Sequence, residues 1–263
     1  MKTQMTTMHT TRIKEQIMKT VLIFTTLLFV PGADASAQTL EKMPHDLEVR
    51  FASSALPKPL RAGASVYVLD PATGYVLDRK GTNAQSCFVA RTTWDKEDYA
   101  DDFYQAYCFD PVGMKNQGTV LFDVAELRAK GTSPAETKKI ITRRFADGTY
   151  KAPDRPGVSY MVAPLMRFYV SFDPSRKEKH TMAMPHVMYY APNLSNADFG
   201  GVQAPSPYPF ILEQGPHGYF IKNLGEKETA DIETSEAALV RDLCSYRSVL
   251  CLHDSQQHMK NRR

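Results

Sequence analysis

Met182, Met184, His186 and Met188 recur at a spacing of two in the stretch TMAMPHVMYYAPN, residues 181–193. Side chains alternate along a β-strand, so this spacing puts three thioethers and an imidazole on one face. Soft sulfur with imidazole suits copper, Cu(I) in particular, and these four residues are the candidate metal ligands. Two features point the other way. Pro185 lies inside the run, which places the strand at an edge or a bulge, and methionine is a common filler of apolar cores. His217, in GPHGYFI, follows after a loop rich in proline, glycine and serine that would let the two strands pair. On neighbouring strands His186 and His217 could act together as general acid and base, since imidazoles titrate in the useful range. Arg167, Asp198 and Tyr189 are the polar residues that could assist a hydrolase built on this pair. Ser159 in GVSYM lacks the second glycine of a nucleophile elbow, Gly81 in RKGTN reads as a turn, and HExxH and glycine-rich phosphate-loop patterns are absent from the chain.

The acidic stretch 92–108 is a second place where chemistry could reside. It carries Asp95, Glu97, Asp98, Asp101 and Asp102 among Trp94, Tyr99, Phe103, Tyr104 and Tyr107. A calcium loop of the EF-hand type needs a glycine midway through its ligands, and the first glycine here, Gly113, comes after the cluster. A solvated loop closed at its ends by Cys87 and Cys108 is the expectation.

Targeting comes from the first 37 residues. Arg12, Lys14 and Lys19 precede the apolar run VLIFTTLLFV at 21–30, and Ala35, Ser36 and Ala37 follow. A basic region, a short apolar core and an A-x-A site predict a secretory signal peptide cut after Ala37, with Met18 as an alternative start. The run falls short of the roughly 20 residues that span a bilayer. Residues 38–263 then form the mature chain, expected as a single domain. Removing the leader's four basic and two acidic residues from 32 and 29 leaves 28 against 27, so the mature chain is close to neutral. Nucleic-acid binding needs a basic stripe with interleaved aromatics; the one terminal basic group is Lys260, Arg262 and Arg263. A nucleic-acid partner is therefore not expected, nor a membrane span after signal cleavage.

Cys87, Cys108, Cys244 and Cys251 all fall in the exported part, and an even count in an oxidising compartment favours two disulfides. Three pairings are open. On one unbroken helix, Cys244 and Cys251 would lie about 10.5 Å apart, beyond disulfide reach, so pairing them requires the helix to break near Ser248. The favoured set is Cys87 with Cys108 and Cys244 with Cys251. A zinc site is the alternative, although the spacings match no zinc motif.

Around these residues the chain reads as follows. A short amphipathic helix over 46–54 ends at Pro57 and Pro59. The runs 65–70 and 75–80 flank the turn Pro71–Ala72–Thr73–Gly74 as a hairpin, and 86–91 adds a third strand to make a meander. A helix starts at Asp123 with Glu126 as capping-box partner and stops at Gly131; the next starts at Ser133–Pro134 and turns Ile140, Ile141 and Phe145 inward. Strands follow at 158–163, 168–172, 181–193, 210–212 and 217–222, and a packing helix at 234–247. The loop 193–209 is long enough to border a site. The fold class is α+β, an antiparallel sheet of the meander plus the C-terminal strands with helices packed on one side.

The succession PKPLRAGASVYVLD, RKGTNAQSCFV, Cys108, GVSYM, MPHVMYYAP, PYPF and GPHGYFI resembles a group of exported bacterial proteins with no established activity. The resemblance spans most of 56–221. It implies the Cys87–Cys108 pairing and a histidine in each of the two late strands, and it implies no cofactor or catalytic residue. The helices near 123–145 and the Cys244–Cys251 segment look like additions to that pattern. The functional expectation is a non-catalytic protein that binds a small ligand or a partner protein through the sheet face and the loop 193–209. Copper binding and hydrolysis by the histidine pair are the alternatives.

Overall fold

The computed structural model of the protein describes residues 40–202 and 206–252. The expected leader, its cleavage site and the terminal basic group lie outside them. Chain order is α1 (His45–Ser54), α2 (Lys58–Arg61), β1 (Ser65–Asp70), β2 (Gly74–Arg79), β3 (Ser86–Ala90) and β4 (Gln105–Phe109). A short helical turn α3 (Pro111–Gly113) then runs through a π-helical turn (Met114–Gly118) into α4 (Thr119–Ala129), and α5 (Pro134–Ala146) follows. The remaining elements are β5 (Gly157–Met161), β6 (Met166–Tyr169), β7 (Lys179–Met182), β8 (His186–Tyr190), β9 (Phe210–Glu213), β10 (Tyr219–Asn223), α6 (Glu226–Ser235) and α7 (Ala237–Tyr246). Eight strands form one sheet in the order β2-β1-β3-β4-β5-β8-β10-β9, and β6 with β7 makes a separate two-stranded sheet. The class is α+β, as the sequence implies.

The meander is a different arrangement. β1 and β2 form the expected hairpin, but β3 pairs with β1, and in parallel. The chain at 80–85 crosses beneath the start of β1 and is tied there: the amides of Thr82 and Asn83 donate to the Gly63 carbonyl at 2.7 and 2.8 Å, and that of Ser65 to the Gln85 carbonyl at 2.9 Å. The crossing is so close that a Cβ on Gly81 would lie 2.3 Å from the Gly63 carbonyl oxygen. Only glycine fits there.

Helices cover both faces rather than one. After Ser86 the run CFVA of β3 is apolar and buried at every position, so it presents an apolar surface on each side and needs a layer on each. Cys87 and Val89 face α1 and α7, in a core with Phe51, Leu56, Leu239 and Leu243. Phe88 faces the other way, onto Phe122 of α4 at 5.1 Å between rings and onto Phe109 at 5.5 Å. Among the loops, the acidic stretch hands its carboxylates to separate cations: Glu97 to Lys138, Asp101 to Arg128, and Asp102 to both Arg167 and Lys179. Disulfides join Cys87 to Cys108, cross-strand neighbours on β3 and β4, and Cys244 to Cys251 with Cα atoms 4.4 Å apart. The second bridge forms because α7 ends at Tyr246 and a 3-10 turn, Ser248–Leu250, folds the chain back. No described helix is long and apolar enough to cross a membrane.

Candidate functional site

The stretch 181–193 is two strands, not one. β7 ends at Met182 and β8 begins at His186; between them Pro185 supplies no amide to a ladder. β7 pairs with β6, with Met182 opposite Met166, while β8 lies in the main sheet between β5 and β10. Met184 and Met188 therefore pack with Met161, Met166, Phe103 and Phe210 in the apolar cluster beneath the sheet, and Met182 belongs to the other sheet. The expected face of four ligands is divided. His186 is 4 % exposed, and its Nδ1 is 2.8 Å from the carbonyl oxygen of Met184. Burial lowers its pKa against the opposing pull of that hydrogen bond, which favours neutral imidazole.

His217 is not beside His186. In the β8–β10 ladder His186 faces Asn223, whereas His217 precedes Tyr219, the partner of Tyr190 at the opposite end. The strand length between those ends alone is roughly 13 Å at 3.3 Å per residue, so the two imidazoles do not share a proton path. The polar residues expected to assist them are occupied elsewhere. Arg167 donates to Asp102 at 2.6 Å, Asp198 accepts from the amide and hydroxyl of Ser195 at 2.8 Å, and the Tyr189 ring stacks on Phe220.

What the late strands do assemble is an aromatic surface. Tyr189 and Phe220 are cross-strand partners whose rings lie 4.9 Å apart and 18° from parallel, and Phe199 of the loop after β8 meets Phe220 at 4.9 Å. Alternation puts this group on the side of the sheet away from Met188 and Ile221. That is the side α1 covers farther along, at β1, β3 and β4. Tyr189 is 38 % exposed. The loop beside it is folded tightly: Asn193 donates its amide to the Gly215 carbonyl at 2.8 Å, and Gly201 to that of Asn196 at 2.7 Å.

On the opposite side the π-helical turn brings in groups that the sequence reading passed over. Asp110 caps the helix start, its two carboxylate oxygens accepting from the amides of Gly113 at 2.7 Å and Val158 at 3.0 Å. Helix and β5 are thereby fixed to each other. Gly113 lets the helix lie flat there, since a Cβ would come within 2.9 Å of Ser159 Oγ. Just beyond, Asn116 accepts from His217 Nδ1 at 2.7 Å, and Gln117 accepts from the Tyr190 hydroxyl at 3.2 Å, which also contacts Ser159 Oγ at 2.9 Å. The His217 ring stands edge-on to Phe145 at 5.0 Å. Burial lowers the pKa of His217 and raises those of Tyr190 and Tyr219 far above the ordinary phenol value, so these groups are neutral at pH 7. The arrangement holds and orients neutral hydrogen-bonding groups.

No protein-family model, curated protein or solved structure matches the chain.

Proposed function

We propose that this is an exported, non-catalytic binding protein whose ligand face is the aromatic surface of β8 and β10 with the loop 193–209. The supporting observation is the stack of exposed Tyr189 on half-buried Phe220, which Phe199 also meets, on a stretch of sheet that α1 leaves uncovered. Aromatic rings held rigidly by cross-strand pairing offer π faces at little entropic cost, and they favour a ligand with a flat apolar face, such as a sugar ring or a planar heterocycle. Export follows from the leader, and the two disulfides are of the kind an oxidising compartment maintains.

The test is ligand-observed saturation-transfer NMR on residues 38–263 against monosaccharides, disaccharides and aromatic heterocycles, repeated on Tyr189→Ser. A ligand whose signal disappears in the variant, with the fold intact by circular dichroism, supports the reading. If every hit gives the same signal with both proteins, the face is not the site.

A further inference from the structure

On the other side of the sheet, a cleft of about 270 Å³ opens between the start of the α3 to α4 helix and the segment 151–155. Lys115, Lys151 and Arg155 line it and have no carboxylate partner among the described residues; Asp154 is the only acidic residue in the lining. The lining thus carries a net charge near +2. Surface lysines alone would signify little, but Asn116 also lines the cleft and is 5 % exposed. Its Oδ1 is engaged by His217 Nδ1. That contact, with the proton on Nδ1, engages the amide oxygen and leaves the Nδ2 donor of a side chain held in the lining of the cleft for another acceptor. Regular α-helical winding would aim residue 116 differently; the π turn at Met114–Gly118 sets its direction, and such turns occur often at functional sites.

We infer that this cleft binds a small dianionic oxyanion, of the phosphate or phosphomonoester class. A phosphoryl group carries about −1.5 to −2 charge near pH 7 together with three strong acceptor oxygens. That matches the net charge of the lining, and the acceptors suit three cations and one amide donor. The volume leaves room for a small organic group against Pro111, Val112 and Pro153. The cleft and Tyr189 are on opposite faces of the sheet, so this site stands independently of the aromatic one.

The experiment is a titration of the mature chain with inorganic phosphate and, separately, with phenyl phosphate at low ionic strength. It is followed by calorimetry and by ¹H–¹⁵N spectra of the Asn116 side-chain amide. The expected result is saturable binding that shifts the Asn116 amide, weakens steeply with salt, and falls at least roughly tenfold in Lys151→Gln/Arg155→Gln. Lys177→Gln, a cation on the β6–β7 loop, should leave it unchanged. Tighter binding of the ester identifies an esterified phosphoryl group as the ligand, and tighter binding of phosphate the free ion. Absence of saturation with both probes, equal weakening in Lys177→Gln, or an unmoved Asn116 amide overturns the assignment.

Discussion

Glu48 is a carboxyl group buried within α1, 1 % exposed, accepting a hydrogen bond from the Leu69 amide at 2.8 Å. Burial pushes its pKa up to about 7, against the pull of that amide and of the Arg91 guanidinium. In the unfolded chain an ordinary carboxyl has lost its proton well below that pH. Between those two values the native state therefore holds a proton that the unfolded state has released. Stability falls as pH rises from about 4.5 to about 7 and levels off above, the total being about 3 kcal/mol. Glu48→Gln keeps an acceptor for Leu69 and removes the titration. Urea unfolding from pH 4 to 8.5 should show the variant more stable than wild type above pH 7 by up to about 3 kcal/mol, with the gap closing toward pH 4. A gap constant with pH would locate the effect elsewhere. Nothing in the spacing of HDLEVRF announces this burial, since Glu48 looks like an ordinary first-turn acid; its partner on β1 is supplied by tertiary packing.

At the scale of elements, the start of the long helix shows what was legible and what was not. Ser133–Pro134 predicts a helix start, and α5 begins there, with Ser133 Oγ accepting from the Glu136 amide. Asp110–Pro111 carries the same signal and begins the preceding helix. Reading Asp123 as that start is an error of about three turns, because its carboxylate instead accepts from Arg144 and Tyr150 across to α5. The Cys87–Cys108 pairing depends on β3 and β4 lying side by side, whereas the hairpin, α1 and the end of α7 with its Cys244–Cys251 pairing follow from local patterns. The parallel β1–β3 pairing and the π turn do not, since each depends on contacts distant in sequence. The cleft was illegible for the same reason: Lys115 and Lys151 meet only after α4 and α5 have folded back. Asp110→Ala removes both a cap and the tie to Val158, and should cost about 2 kcal/mol in urea unfolding, restored only in part by Asp110→Asn, whose single carboxamide oxygen can serve one of the two amides. It should also move the Asn116 side-chain amide resonance. A loss below about 0.5 kcal/mol would mean that water satisfies both amides as well as the carboxylate does.

Across the whole molecule, one sheet serves two cores. Phe88 and Val89 are successive residues of β3, each 0 % exposed and each in a different core. Neither core can melt without stripping the strands that form the floor of the other. Unfolding should accordingly be a single transition, with near-ultraviolet circular dichroism from the tyrosines and the fluorescence of Trp94 giving coincident urea curves. Separated midpoints would show that the helical layers unfold independently of the sheet. The disulfides enter this cooperativity unequally. Cys87 and Cys108 are fully buried between β3 and β4 and close a sequence separation of 21, whereas Cys244 and Cys251 are partly exposed and close a separation of 7. Chain entropy assigns them about 3 and about 2 kcal/mol respectively. Mild reductant should open Cys244–Cys251 first and lower the midpoint while leaving one transition, because the turn it closes lies at the end of α7. Opening Cys87–Cys108 requires β3 and β4 to part, so it should occur only at the rate of global unfolding. Alkylation with mass mapping reads the order directly, and early labelling of Cys87 would mean that the central strands separate without the rest.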